Sequence, residues 1–63
     1  MEKKIPLEYL LYLDDIQQQM EHTEDRMGKA WYEGRLYGAI EALYRMEVIT
    51  YDKFKELCHE YDL

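Results

Sequence analysis

Residues 23–48 read TEDRMGKAWYEGRLYGAIEALYRMEV, and this stretch decides the fold because it holds no proline and carries two helical patterns on opposite sides. Tyr32, Leu36, Ala39, Ile40 and Leu43 recur at the three- and four-residue spacing that stacks side chains along one helical face, with Tyr37 and Tyr44 beside them. That face is the expected core. Ala30, Gly34, Gly38 and Ala42 fall at strict four-residue intervals and centre nearly opposite Leu36 and Ile40. Glycine inside an exposed helix costs about 1 kcal/mol relative to alanine, so two of them call for a reason. The expectation is that something packs closely on this small stripe. Two sources are open: another helix of the same chain, or an external surface on a second copy or a different protein. Flanking Trp31, Arg35 and Arg45 are residue types enriched at interface hot spots, which tips the balance outward. With Glu41 on the same side, Ala30, Trp31, Gly34, Arg35, Gly38, Ala42 and Arg45 form the candidate partner-binding set.

Toward the N-terminus, residues 1–5 read as a frayed start. Pro6 suits a first helical position, where its missing N–H would be unpaired in any case. A helix over about 6–21 follows, with Tyr9, Leu13, Ile16 and Met20 as its stripe and Tyr12 beside it. Leu7 and Leu11 sit on another side near Leu10, so the first two turns are apolar nearly all round and are expected to be the more fully enclosed. Thr23 reads as the N-cap of the next helix, about 24–47, with Glu24 and Asp25 in its first turn and His22 closing the helix before. Because neither proline nor glycine occurs between Pro6 and Gly28, a break nearer Gly28 or one bent helix over 6–46 are the alternatives. Two antiparallel helices with a tight turn bury more apolar surface within one chain, and that arrangement is preferred.

The second join is better specified. Thr50 is an N-cap, Asp52 favours the positive end of the helix, and Ile49 with Phe54 occupies the two positions of a hydrophobic staple. The helix that follows, about 51–61, carries Phe54, Leu57, Cys58 and Tyr61 as one clean stripe. No run alternates with period two, so the expected fold is all-α: one small domain over 1–63, of three helices, the first two antiparallel.

The segment over residues 42–57, ALYRMEVITYDKFKEL, resembles the helical hairpin of short C-terminal (SHOCT-type) modules: a leucine-bearing helix, an Ile-Thr turn, then an acidic residue and a phenylalanine opening the next helix. Glu47 stands where those modules usually have glycine. As a whole the chain is similar to the short acidic helical proteins of phages and plasmids of Gram-positive bacteria, some of which are anti-CRISPR proteins or other inhibitors of host enzymes. The resemblance implies an inhibitor-like role and transfers no residue roles.

Composition narrows the classes further. At 63 residues the chain has marginal means of building a core, and Cys58 is its only cysteine, so no internal disulfide helps. No stretch approaches a membrane span and no signal-peptide pattern forms, so a soluble cytoplasmic protein is expected. Fourteen acidic residues against eight basic ones give a net charge of −6, which disfavours direct nucleic-acid binding. Seven tyrosines suit both a small core and a binding surface.

Candidate chemistry is sparse. His22, Cys58 and His59 lack the paired spacing of a metal site, and Cys58 and His59, being adjacent, point about 100° apart on a helix. Asp14 and Asp15 sit among glutamines, where carboxylates stay solvated. No enzyme, metal or cofactor is therefore expected. Glu21, Glu24 and Asp25, with Glu33 further along, form an acidic face that could mimic a row of phosphates for a basic groove. The competing reading is ordinary solubility charge, partly paired as Asp25–Lys29 and Glu41–Arg45. The expected function is a non-enzymatic interaction module that regulates or inhibits a larger protein partner, such as a nucleic-acid-handling enzyme. The alternative is a self-assembling module that uses the small stripe.

Overall fold

The computed structural model describes residues 4–63 and contains three helices: α1 (Leu7–His22), α2 (Arg26–Arg45) and α3 (Tyr51–Glu60). The all-α reading holds, and α1 and α2 are separate helices. Part of the predicted fray, residues 1–3, lies outside the described residues, whereas Ile5 packs against the core. Pro6 caps α1 rather than opening it, its carbonyl accepting from the N–H groups of Tyr9 and Leu10 at 3.0 and 3.2 Å.

The α1–α2 join differs from the sequence reading. Thr23 does not open α2; its hydroxyl donates to Gln19 O at 2.7 Å and so closes α1. The N-cap of α2 is Asp25, whose carboxylate accepts the Gly28 N–H at 3.3 Å, and the first turn of α2 contains no acidic residue. Both residue types are good caps. The choice falls on Asp25 because the Thr23 hydroxyl already has a partner one turn back. With Asp25 turned to the helix end, the expected Asp25–Lys29 ion pair is not among those formed, whereas Glu41–Arg45 forms at 3.1 Å. Gly28 makes this tight turn possible, since a Cβ at that position would lie 2.6 Å from the Thr23 methyl carbon.

Tyr9 Oη donates to Ala39 O at 2.6 Å and Arg35 Nε donates to Tyr12 Oη at 3.4 Å, so advancing along α1 means retreating along α2. That is the antiparallel sense. Between the two helices lie Leu13, Ile16, Leu36, Ile40 and Leu43, all buried, with Tyr9, Met20, Tyr32 and Ala39 half-buried around them. α3 folds back through a turn in which Val48 N–H reaches Leu43 O at 2.9 Å and Glu47 N–H reaches Tyr44 O at 3.0 Å. This pair of bonds is a Schellman motif, in which the residue after the C-cap takes a left-handed conformation. Glu47 occupies that position at φ 60°. Thr50 then caps α3, accepting the Lys53 N–H at 3.2 Å, and buried Ile49 lies just ahead of it, as the staple requires.

α3 seats Leu57 and Tyr61 in the core, with Phe54 and Cys58 half-buried beside them. Tyr61 Oη donates to Asp14 Oδ1 at 2.9 Å, tying the end of α3 to α1. One expectation fails on α1: Leu7 and Leu11 are 67% and 57% exposed, not enclosed. α1 has one buried face, along Leu13 and Ile16, and no element lies over the side that carries these two leucines. Among the described residues no helix is long and apolar enough to cross a membrane.

Candidate functional site

With α1 and α3 both seated on the core side of α2, the opposite side of α2 is left open. At Gly34 and Gly38 an added Cβ would meet nothing within 4 Å. Internal packing on the small stripe, one of the two sources considered, is therefore overturned: the helices of this chain gather on Leu36, Ile40 and Leu43, where burial of branched side chains releases more apolar surface from water than bare glycine can.

Residue by residue, Ala30, Trp31, Gly34, Arg35, Gly38 and Arg45 are exposed, and Glu41 and Ala42 are half-exposed. Trp31 is 58% exposed and Met27 is 80% exposed, both on this outer side. Met27 was absent from the candidate set. The signal for it was present in the spacing, because Met27, Trp31, Gly34 and Gly38 follow one another by four, three and four residues and so share a face.

Trp31 is held in place. Its ring meets Tyr32 edge-on at 4.9 Å between centroids, and the Arg35 guanidinium lies 5.3 Å from the Trp31 centroid and 5.9 Å from that of Tyr12. A cation bracketed by two rings is attracted to both, and it restricts the indole to few orientations. Beyond the glycines, the Glu41–Arg45 pair closes the strip at its C-terminal end. The result is a shallow surface with an apolar anchor pair at one end, exposed backbone in the middle and a charged pair at the other.

The acidic candidates sit elsewhere. Glu21 lies in the last turn of α1, Glu24 and Asp25 are in the join to α2, and all three are exposed together with Glu33. Asp25 has a structural task as the N-cap. α2 itself carries Arg26, Lys29, Arg35 and Arg45 against Glu33 and Glu41, while α1 has Glu8, Asp14, Asp15 and Glu21 and no lysine or arginine. The negative charge of the chain is thus concentrated away from the open strip; beside the strip lie the acidic residues of the α1–α2 turn, at the Met27 end, and Glu41, which is paired with Arg45.

A second aromatic group lies where α2 meets α3. Phe54 is stacked with Tyr44 and Tyr51 at 5.5 and 6.0 Å between centroids and meets Tyr37 edge-on at 5.8 Å. The phenol rings of Tyr37, Tyr44 and Tyr51 shield Phe54 while staying partly exposed themselves. Lys55 Nζ covers the Tyr51 ring at 5.2 Å. This group closes the edge of the core rather than forming a cleft.

Cys58 is half-buried, and burial pushes its thiol pKa up, opposite to the shift that makes a nucleophilic thiolate. Among the described residues, no three His, Cys, Asp or Glu side chains come together in a way that could hold a metal ion. No protein-family model, curated protein or solved structure matches the chain.

Proposed function

We propose that this chain is a non-enzymatic interaction module that docks on a larger protein through the outer side of α2 and regulates or inhibits it. The observation that carries the reading is the pairing of two large exposed side chains, Met27 and Trp31, with glycines over which nothing lies within 4 Å. Interface energy concentrates in a few aromatic, Met and Arg anchors. Bare helix backbone beside them admits close approach by a partner helix or loop. Arg35, lying over the Trp31 ring, lowers the entropy lost when the indole is buried, which is what preorganisation means for an anchor residue.

The acidic turn refines the choice of partner. Glu24, in the α1–α2 turn, lies three residues before Met27 and Glu21 is in the last turn of α1, so an apolar pocket with a basic rim is the complement of this end. Proteins that handle nucleic acid carry such rims, and an acidic protein seated there would keep out the phosphate backbone. The similarity in style to small phage- and plasmid-encoded inhibitors points the same way.

The test compares wild type with Gly38→Leu and Trp31→Ala in capture from a source-cell extract, identification by mass spectrometry, and assay of the purified partner. The expected outcome is one nucleic-acid-handling partner whose activity falls on addition of the wild-type protein. Trp31→Ala should keep the wild-type melting temperature, Gly38→Leu should keep or exceed it, and both should lose the partner. Equal capture by all three proteins would overturn the docking face, and a partner with no link to nucleic acid would overturn the choice of target.

A further inference from the structure

We propose that α3 exchanges between two copies of this chain, α2 and α3 straightening into one continuous helix and each α3 taking in the other copy the seat it holds in its own. The seam between α2 and α3 carries the inference. Leu36, Ile40, Leu43, Phe54, Leu57 and Tyr61 are among the residues through which the two helices meet the core. They fall in a single heptad register that passes through the turn without a phase shift, with Glu47 and Thr50 at the two intervening positions. A turn between independent helices has no need to preserve that register. A straightened helix keeps every one of these residues on one face.

The turn itself favours opening on two counts. From residue 39 to residue 63 the chain contains neither glycine nor proline, so nothing in this region forbids a helix from running through it. Glu47 pays for the closed form with φ 60°, a conformation that side chains other than glycine adopt at a steric cost, and a continuous helix removes that strain from both copies. Against opening stand the Thr50 cap and the bonds from Val48 and Glu47 to the end of α2. Hinge loops under strain are the ones that exchange elements between copies.

Exchange conserves the contacts of α3 itself, while Val48 and Ile49, which pack on the core from within the turn, lie off the seam of a straight helix. About a two-fold axis between residues 48 and 49, the seam of the straightened helix sets Leu43 opposite Phe54 of the second copy, Ile40 opposite Leu57 and Leu36 opposite Tyr61, an antiparallel order. The Tyr61–Asp14 hydrogen bond and the Phe54–Tyr37 contact re-form between copies. The outer side of α2 takes no part, so this assembly is independent of the docking face proposed above.

Sedimentation of the full chain, refolded from denaturant at low and at high protein concentration, reads the exchange. High concentration should yield a dimer. In a dimer mixed from isotope-labelled and unlabelled chains, filtered nuclear Overhauser spectra should connect the Phe54 ring of one copy to the Tyr37 ring of the other. Glu47→Gly, which removes the strain from the closed turn and weakens the straight helix, should shift the equilibrium toward monomer by about tenfold or more. The double variant Glu47→Ala with Thr50→Ala, which loses the cap and gains helix propensity, should shift it toward dimer by a similar factor. Gly38→Leu should leave the dimer unchanged. A chain that stays monomeric in wild type and in the double variant overturns the proposal, as does a dimer without the Phe54–Tyr37 connection, or one abolished by Gly38→Leu. If the double variant fails to fold, Glu47→Gly still decides, because an unmoved equilibrium in that variant overturns the proposal.

Discussion

At φ 60°, Glu47 holds the left-handed conformation that glycine adopts freely, and it does so without a short polar side chain that could bond locally. Glu47→Gly should therefore stabilise the monomer by about 1 kcal/mol, a rise of roughly 4–8 °C in melting temperature for a chain of this size. Thermal denaturation followed by circular dichroism checks it, and an unchanged or lowered midpoint would show that the angle carries no strain. Tyr61 offers a second test at single-residue level. Its pKa is pushed up from 10.0 to about 12, first by burial and then by the hydrogen bond to Asp14. A folded-state pKa above the unfolded one means that the contribution is fully present below about pH 10 and is lost as pH rises through about 12. Tyr61→Phe should cost about 1 kcal/mol at neutral pH. Its stability should converge on that of wild type between about pH 10 and 12. Parallel stability curves across that range would mean that the phenol is not the titrating group.

α2 is the element on which the two readings of glycine part. Gly34 and Gly38 face open space, so Gly34→Leu and Gly38→Leu should leave the isolated chain as stable as wild type or up to about 1 kcal/mol more stable per site, leucine being the better helix former. A marked fall in melting temperature for either would mean that the strip is covered within the chain. Gly28 behaves in the opposite way. A methyl group there would press on the Thr23 methyl, whose rotation is restrained by the bond from the same residue's hydroxyl to Gln19 O. Gly28→Ala should thus be destabilising in wild type and stabilising in a Thr23→Ser background, which keeps the hydroxyl and removes the methyl. A double-mutant cycle measures the coupling, and additive effects would mean that the turn relaxes freely. On the core face of the same helix, Ile40→Asp places a carboxylate at a fully buried site, which should cost about 3 kcal/mol or more and leave so small a chain largely unfolded.

For the molecule as a whole, three short helices enclose one small core while leaving large apolar side chains outside it, among them two pairs, Leu7 with Leu11 on α1 and Met27 with Trp31 on α2. A chain of 63 residues cannot cover every large side chain, and part of what it leaves out is available for partners. The two pairs differ in surroundings. Met27 and Trp31 adjoin bare backbone and an arginine that lies over the Trp31 ring, whereas Leu7 and Leu11 lie on a helix whose charged residues are all acidic. The docking and the exchange of α3 proposed above use different surfaces, so the two proposals are compatible in one chain.

What the sequence determined alone are the features written within four or five residues of one another: the stripe on α2, the Thr50 cap with its Ile49–Phe54 staple, and hence three helices and no strand among the described residues. Such features depend on backbone geometry and nearest neighbours, which are legible without a fold. Only the tertiary structure decided which sides of α2 would be covered, because Leu36 and the glycines are each compatible with a neighbouring helix and the choice follows from apolar area summed over all three elements. It also decided between Thr23 and Asp25 as the cap, two residues of nearly equal local merit separated by where the chain had to turn. And it set Glu47 in a left-handed conformation against its own preference, since seating Phe54, Leu57 and Tyr61 on the core outweighs the strain at one residue.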